Sequence, residues 1–338
     1  MKVSVIIPVY NKGPFVREAV ESILQGTLTD LEVVAVDDRS TDDSLAILRS
    51  IRDPRLRIIE REQNGGPAAA ANTGLDACRG EYIARLDADD IALPERLAQQ
   101  ASFLDTHPEV GACGGQVQLF GAHDRSWSYA LTPDACDAQQ FFGVPISQGA
   151  SMLRRSVVEE HRLRYDPAWP HVGEDRLFWL RVGRVTRFAN LDSTVIRYRR
   201  GPQNISHGRD RAADMAYLQA EVFRWYGIPF TPEELELQLI GSQVFRKAPT
   251  AADVRALRAW YDRLLDGNAR HGWFPKEAFA TRVEQQWTTL FHPLVRYGAS
   301  PALAHLRVSG TWPMERLAYL MKYRVNAHLG RVPNGLPA

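Results

Sequence analysis

The sequence has few cysteines, almost no net charge and no long hydrophobic run. Its three cysteines, Cys78, Cys113 and Cys136, lie at wide and uneven spacing, which excludes a disulfide framework and a cysteine-based zinc site. The 41 Lys and Arg residues nearly balance the 40 Asp and Glu residues, so charge gives no support for nucleic-acid binding. No stretch reaches the about 18 apolar residues of a membrane-spanning helix. The composition therefore predicts a globular protein of a reducing compartment, the cytoplasm.

The charge is unevenly distributed along the chain. Residues 1–210 carry 25 basic and 29 acidic side chains, whereas residues 211–338 carry 16 and 11. An acidic excess suits a site that gathers carboxylates around a cation, and a basic excess suits an anionic surface. Chance scatter explains a difference of this size equally well.

The first 110 residues alternate short β-branched runs with helical patterns. The predicted strands are Val3–Val9, Leu31–Val36, Leu56–Ile59 and Tyr82–Leu86. This alternation is typical of a parallel α/β sheet with right-handed crossovers. Residues 121–148 are rich in Gly, Pro, Ser and Asp, which predicts a mobile insertion. After residue 210 the pattern is helical, so we expect a sheet domain over 1–210 and a helical region over 211–338.

Polar residues follow the predicted strands where each strand ends. Open parallel sheets bind ligands at the carboxyl ends of their strands. The residues at these ends are Tyr10, Asn11, Asp37, Asp38, Asn64, Gly65, Gly66, Asp87, Asp89 and Asp90. Four strand ends that converge on one crevice are a stronger signal than any single motif.

Asp87-Ala-Asp89-Asp90 is the sharpest local feature. Three carboxylates within four residues repel one another unless a cation neutralises them. Mg²⁺ typically takes one or two carboxylates together with substrate phosphates. The alternative is that these acids cap the following helix. Capping accounts for one or two of them and leaves the third unexplained, so the motif favours a metal and phosphate site.

Two weaker motifs precede it. A carboxylate of Asp37 or Asp38 can accept hydrogen bonds from a base or a ribose. Each aspartate alone is equally typical of a turn. Asn64-Gly-Gly66 allows a ligand to approach the backbone closely, but glycines also simply form turns.

Short motifs occur in a fixed order along the first 210 residues. They are Val3-Ser-Val-Ile-Ile-Pro-Val-Tyr-Asn11, Val36-Asp-Asp-Arg-Ser-Thr-Asp42, Asn64-Gly-Gly, Asn72-Thr-Gly74, Gly80-Glu-Tyr-Ile83, Asp87-Ala-Asp-Asp90 with Pro94 and Arg96-Leu97, Gly173-Glu-Asp-Arg-Leu-Phe-Trp179, and Tyr198-Arg199 with Ser206-His207. In this order and spacing the chain resembles family 2 glycosyltransferases of the GT-A fold, a Rossmann-like, mostly parallel sheet flanked by helices. Residues 211–338 match no pattern of that family.

The resemblance implies a role for each matching residue. In a nucleotide-diphospho-sugar complex, Pro8, Tyr10 and Asn11 would line the base and ribose, and Asp87 would face the ribose or sugar. Asp38, in preference to its neighbour Asp37, would contact the base edge, and Asn64 would also lie at the donor. Asp89 would ligate Mn²⁺ or Mg²⁺ at the diphosphate, and His207 would approach the same ion. Asp175, or in its place Glu174, would act as the base on the acceptor hydroxyl. Without the upstream motifs, Glu174 and Asp175 are more typical of a helix cap.

The implied activity is a metal-dependent, inverting hexosyltransferase that builds surface polysaccharide or glycoconjugate. Its acceptor would be a glycan or a lipid-linked glycan. A sugar-nucleotidyltransferase shares the sheet and the acidic pair but needs a glycine-rich signature with Arg and Lys, where this chain has only Asn11-Lys-Gly. A catalytically silent nucleotide-sugar-binding scaffold is disfavoured by the intact set of acids.

The segment Met314–Arg331 combines apolar residues at helical spacing with several basic ones. Such a helix can lie on anionic lipid, which would place the protein at the inner face of the membrane. The commoner fate of an amphipathic helix is packing against its own protein. Both alternatives stay open at the level of sequence.

Overall fold

The computed structural model describes residues 1–121, 124–169, 173–201 and 209–332. The chain divides into two compact units, Met1–His207 and Gly208–Ala338. In the described part of the chain, no helix is long and apolar enough to cross a membrane.

The N-terminal unit is built from strands and helices in alternation. Its strands are β1 Val3–Val9, β2 Leu31–Asp37, β3 Leu56–Glu60, β4 Tyr82–Arg85, β5 Ile91–Ala92, β6 Val110–Gly121, β7 Ser126–Trp127, β8 Met152–Arg154 and β9 Arg187–Arg200. Its helices are α1 Gly13–Leu24, α2 Ser44–Ser50, α3 Gly66–Ala77, α4 Arg96–Thr106, α5 Pro133–Gln139, α6 Arg155–Glu160 and α7 Glu174–Val182, with a 3₁₀ turn at Gln148–Ala150.

The strands of the described residues form one sheet in the order β3-β2-β1-β4-β8-β6-β9-β5, with β7 paired to β6. The first four strands in this order run parallel. Beyond them β8 runs antiparallel to both β4 and β6. β6 and β9 are parallel, and β5 runs antiparallel to β9. The predicted α/β fold with a mostly parallel sheet is confirmed.

Helices cover both faces of the sheet, which explains why β1 and β2 are almost wholly apolar. On one face Val5 and Ile7 of β1 share a core with Val16 and Val20 of α1. On the other face Ile6 packs with apolar residues of α3 and α7. Gly74 of α3 lies so close to Ile6 that a Cβ there would collide with its side chain. The strand alternation thus fixes where the two helix layers lie.

The expected mobile insertion at 121–148 is not what the structure shows over residues 124–148. This segment contains α5, and Cys136, Phe141 and Ile146 are buried. The Asn190 Nδ2 group donates to the carbonyls of Ala130 and Pro145 at 2.7 and 3.0 Å. Gly, Pro and Ser here mark chain reversals around buried apolar residues, so composition alone was a poor guide to order.

The C-terminal unit is helical in its described residues. Its helices are α8 Arg211–Tyr226, α9 Pro232–Gly241, α10 Ala251–His271, α11 Lys276–Val295, α12 Ala299–Ser309 and α13 Met314–His328. α9 and α10 begin with capping boxes at Thr231 and Thr250, a device that satisfies two backbone amides. α8, α10 and α12 each end at a glycine with left-handed backbone, as helix C-termini commonly do.

Ser4 joins three segments of the N-terminal unit. Its fully buried hydroxyl donates to Glu32 Oε1 at 2.6 Å and accepts from the amides of Arg79 and Gly80 at 3.0 and 2.8 Å.

Replacing Ser4 by Ala leaves the Gly80 amide buried without an acceptor. We expect Ser4→Ala to lower the free energy of unfolding by about 2 kcal/mol, measured by urea denaturation. The matched control is Ser50→Ala, an exposed hydroxyl, with an effect within about 0.5 kcal/mol. Equal stability of the two variants would contradict this role.

Candidate active site

The end of β2 is tied to the loop that opens α3. The buried Asp38 carboxylate accepts from the backbone amides of Gly65 and Gly66, the latter at 2.8 Å, and pairs with Arg61. The Asn64 side chain donates to the Asp38 carbonyl at 2.9 Å. Asp38 therefore holds the glycine loop in place through its side chain and its backbone together.

Asp37, the neighbour of Asp38, is also buried but less fully bonded. Its Oδ2 accepts from the Ser40 amide at 3.2 Å. Its Oδ1 is buried and has no hydrogen-bond partner among the described residues. Such an atom costs free energy unless a further group donates to it.

The end of β1 leads into a short turn that carries the predicted base-lining residues. Tyr10 is exposed, whereas Pro8, two residues earlier in β1, is partly buried. Asn11 has a left-handed backbone, with φ of 51°, which Asn tolerates better than most residues. Its Oδ1 accepts from the Thr41 amide at 2.8 Å, and its own amide donates to Ser40 Oγ at 3.1 Å. These bonds join the turns that follow β1 and β2.

The acidic motif forms the tight turn between β4 and β5. The Asp90 amide donates to the Asp87 carbonyl at 3.0 Å. Asp89 and Asp90 are buried, whereas about a third of the Asp87 side chain is exposed. Burial, and next the charge of Asp87, raise the pKa of Asp90 well above its ordinary value. Two carboxylates at this depth are costly as a pair of anions.

Basic residues from other elements surround this turn. Lys12 Nζ donates to Asp89 Oδ2 at 2.7 Å. Arg199 of β9 donates from its amide to Asp90 Oδ1 at 2.8 Å and from Nε to the Asp89 carbonyl at 2.9 Å. Burial raises the pKa of Asp89 in spite of the opposing charge of Lys12. For Asp89, burial therefore outweighs the pairing with Lys12.

Two carboxylate oxygens of the turn converge on the backbone of Gly149. A Cβ on Gly149 would lie 3.3 Å from Asp90 Oδ2 and 3.4 Å from Asp87 Oδ2. Asp90 Oδ2 is buried and lacks a hydrogen-bond partner within the described part of the chain. Gly149 leaves this space open because it has no side chain. Two converging oxygens, one of them without a partner, suit a hard cation.

The carboxylate pair at the start of α7 lies in the same electrostatic environment. Burial, and next the charge of Glu174, raise the pKa of Asp175 to about 6, with a smaller contribution from Asp87. Asp175 Oδ1 accepts from the Arg176 amide at 2.8 Å. The buried Arg85 lies 3.3 Å from Asp87 Oδ1, and the charges of Asp87 and Glu174 raise its pKa against the effect of burial. Arg85 therefore interacts electrostatically with both the acidic turn and the carboxylates of α7.

The structure brings most of the predicted site residues to one edge of the sheet. His207, the second predicted metal residue, lies outside the described residues. Sequence reasoning missed Lys12, Arg85, Gly149 and Arg199. Lys12 follows the Tyr10-Asn11 motif directly and Arg199 belongs to the Tyr198-Arg199 motif, so both could have been found from those motifs, whereas Arg85 and Gly149 carry no local signal.

Comparison with known proteins identifies the family. The model of the family described as Glycosyl transferase family 2 matches residues 4–162. The amylovoran biosynthesis glycosyltransferase AmsE of Erwinia amylovora is 31% identical over 231 residues, which cover 65% of this chain and 82% of that protein. The chain belongs to glycosyltransferase family 2. Residues 4–162 contain the acidic turn and the ends of β1 and β2, whereas the carboxylates of α7 and Arg199 lie beyond them.

Other relatives agree on the family but differ in length. An uncharacterized glycosyltransferase of Haemophilus influenzae is 31% identical over 211 residues, 58% of this chain and 65% of that protein. The match covers between a third and two thirds of the first four curated relatives. The crystal structure of S. aureus TarS 1-349 in complex with UDP-GlcNAc has a TM-score of 0.57 at 18% identity and covers 98% of this chain and 93% of that one. This likeness shows a common fold of the GT-A type.

The contacts of Asp38 predict a local loss of order when its carboxylate is removed. We expect Asp38→Ala to lower the free energy of unfolding by about 3 kcal/mol, because Arg61 and two amides lose their partner. Amide hydrogen exchange at Gly65 and Gly66 should become faster in the same variant.

The control is Asp43→Ala, because Asp43 is exposed and its side chain makes no capping hydrogen bond. Unchanged exchange at Gly65 and Gly66 in Asp38→Ala would show that the loop is held by other contacts.

Proposed function

We propose that this chain is a metal-dependent, inverting glycosyltransferase that moves a sugar from a nucleotide-diphospho-sugar to a hydroxyl of a glycan or lipid-linked glycan. The observation that carries the proposal is the acidic turn at the end of β4, which Arg85 links to the carboxylate pair of α7. Activating the donor needs a group that stabilises the departing charge, and deprotonating the acceptor needs a carboxylate base in the same site. The names of AmsE and of a succinoglycan biosynthesis protein of Rhizobium meliloti support polysaccharide synthesis, which we place in the cytoplasm.

The acidic turn offers the carboxylate oxygens that Mn²⁺ or Mg²⁺ prefers as ligands. Asp87 and Asp90 would offer the oxygens that converge at Gly149, with Asp89 beside them. No group of three His, Cys, Asp or Glu side chains within the described ranges is placed to hold a metal. Two carboxylates completed by diphosphate oxygens and water are typical of Mg²⁺. Such a cation, when bound, stabilises the negative charge that develops on the departing diphosphate.

The remaining strand ends would bind the nucleoside. Asp37 Oδ1, buried and lacking a partner among the described residues, would accept from the base or the ribose. Tyr10 follows Val9, the β1 register partner of Asp37; it is exposed and offers a ring face, with Pro8 and Asn11 shaping the turn. The Asp38 carboxylate is occupied by Arg61 and the glycine loop. We therefore assign Asp38, with Asn64, to positioning the loop on which the base would rest.

Asp175 would be the base. In its deprotonated form it accepts the proton of the acceptor hydroxyl while that oxygen bonds to the anomeric carbon. The bond from this carbon to the nucleoside diphosphate breaks on the opposite side, which inverts the configuration. Asp175 suits this task because its pKa of about 6 lies near the pH at which a general base is most effective.

The metal hypothesis predicts a loss of turnover when the acidic turn is changed. Asp89→Ala and Asp90→Asn should each lower the rate of nucleoside diphosphate release by at least about a hundredfold, since a bound cation contributes several kcal/mol. The assay is UDP release from UDP-GlcNAc, the ligand named for TarS, with MnCl₂ or with EDTA.

The matched control is Asp192→Asn, an exposed carboxylate on β9. Turnover that survives EDTA and both substitutions would exclude metal dependence. If no UDP-sugar is turned over, the same panel is repeated with other nucleotide-diphospho-sugars.

The base assignment predicts a specific pH profile. Because the pKa of Asp175 is raised to about 6, the carboxyl is protonated below that pH and the rate should fall about tenfold per pH unit there. Asp175→Asn should lower kcat by about 10²–10⁴-fold. Glu174→Gln removes a charge that raises this pKa, so it should move the acid limb to lower pH and keep most of kcat. The reverse pattern in the two variants would make Glu174 the base.

A further inference from the structure

Helix α13 presents two apolar faces. One face packs within the C-terminal unit, where the buried Leu320, with Leu317 and Tyr323, contacts a core that contains Phe291 and Leu306. Met314, Met321 and Val325 point elsewhere and are 79%, 69% and 58% exposed. The sequence alone suggested one apolar stripe over this segment. The structure divides it into a packed face and an open one.

The open face is continuous. At about 100° per residue, Met314, Ala318, Met321 and Val325 fall within an arc of about 60°. Thirteen large apolar side chains are exposed in the described part of the chain, and six of them lie between Trp312 and Leu329. Such a concentration marks an interaction surface rather than scattered exposure. We call Met314, Ala318, Met321, Val325 and Leu329 the apolar stripe.

Positive charge borders the apolar stripe. Lys322 and Arg324 are exposed on either side of it and have no ion-pair partner among the described residues. Between Leu303 and Val332 there are five Lys and Arg residues and one acid, Glu315. A second copy of the chain would bring the same positive charges to the interface, where they repel. An anionic lipid surface offers both an apolar layer and the complementary charge.

We propose that the apolar stripe of α13 lies on an anionic lipid bilayer, with its axis along the surface and Lys322 and Arg324 against the headgroups. The apolar side chains enter the boundary between headgroups and acyl chains. Trp312, two residues before the helix, is 47% exposed and adds an aromatic side chain of the kind that favours a membrane interface. This binding does not depend on the enzymatic activity proposed above, and it holds the chain at a membrane without crossing it.

The test is flotation of the whole chain with vesicles of two compositions. One set is phosphatidylcholine with about one third phosphatidylglycerol, and the other is phosphatidylcholine alone. The chain should float with the anionic vesicles and not with the neutral ones, and salt at about 0.5 M should weaken the binding. Met321→Asp should lower the affinity at least tenfold. The double variant Lys322→Gln/Arg324→Gln should lower it about 25-fold, about fivefold per basic residue.

Matched controls separate these effects from general ones. Leu131→Asp changes an apolar side chain that is 43% exposed in the N-terminal unit, and Arg52→Gln/Arg79→Gln removes two exposed positive charges there. Both controls should bind as the unchanged chain does. Equal binding to neutral and anionic vesicles, or full binding by Met321→Asp, would overturn the proposal. Self-association in sedimentation equilibrium that Met321→Asp abolishes, without vesicle binding, would also overturn it and assign the stripe to a second copy.

Discussion

The N-terminal unit depends on one constraint, the placement of three carboxylates in a tight turn at the edge of a buried sheet. Basic groups from separate parts of the chain meet there: Lys12 after β1, Arg85 in β4, Arg96 in α4 and Arg199 in β9. Arg96 is fully buried, donates to the carbonyl of Arg85 at 2.6 Å, and burial lowers its pKa to about 10. A buried cation at this position is costly unless anions are close. The acidic turn and its basic surroundings therefore stabilise each other.

Two buried carboxylates of the N-terminal unit, Glu32 and Asp90, differ in the direction of their pKa shifts and in their hydrogen-bond partners. Burial alone would raise the pKa of Glu32, but hydrogen bonds from Ser4, Arg57 and the Arg79 amide hold it below its ordinary value. Asp90 is also buried, but burial and the charge of Asp87 raise its pKa, and one of its oxygens lacks a partner among the described residues. The Glu32 carboxylate finds its hydrogen-bond partners within the fold, whereas the Asp90 carboxylate is suited to binding a ligand.

How much the sequence revealed depended on whether a feature was local. The apolar runs of β1 and β2 and the acidic motif after β4 were predictable, because each is encoded in a few consecutive residues. The first half of β6 was not predictable, because Gly111, Gly114 and Gly115 obscure its strand pattern. Nothing in the sequence pattern places Arg85 and Arg199 beside the same turn; the sheet order β4-β8-β6-β9 does so. Pairing of distant strands has no signature in a single sequence.

The link between the two halves of the site follows from Arg85. Its guanidinium lies beside Asp87, and the charge of Glu174 also acts on it. The charge of Asp87 in turn contributes to the raised pKa of Asp175. Neutralising Asp87 therefore lowers the pKa of Asp175 and favours its deprotonated form, whatever group supplies the positive charge. In the proposed reaction, occupation of the donor half would thus prepare the base that acts on the acceptor, and a base left without a donor would stay partly protonated near pH 6.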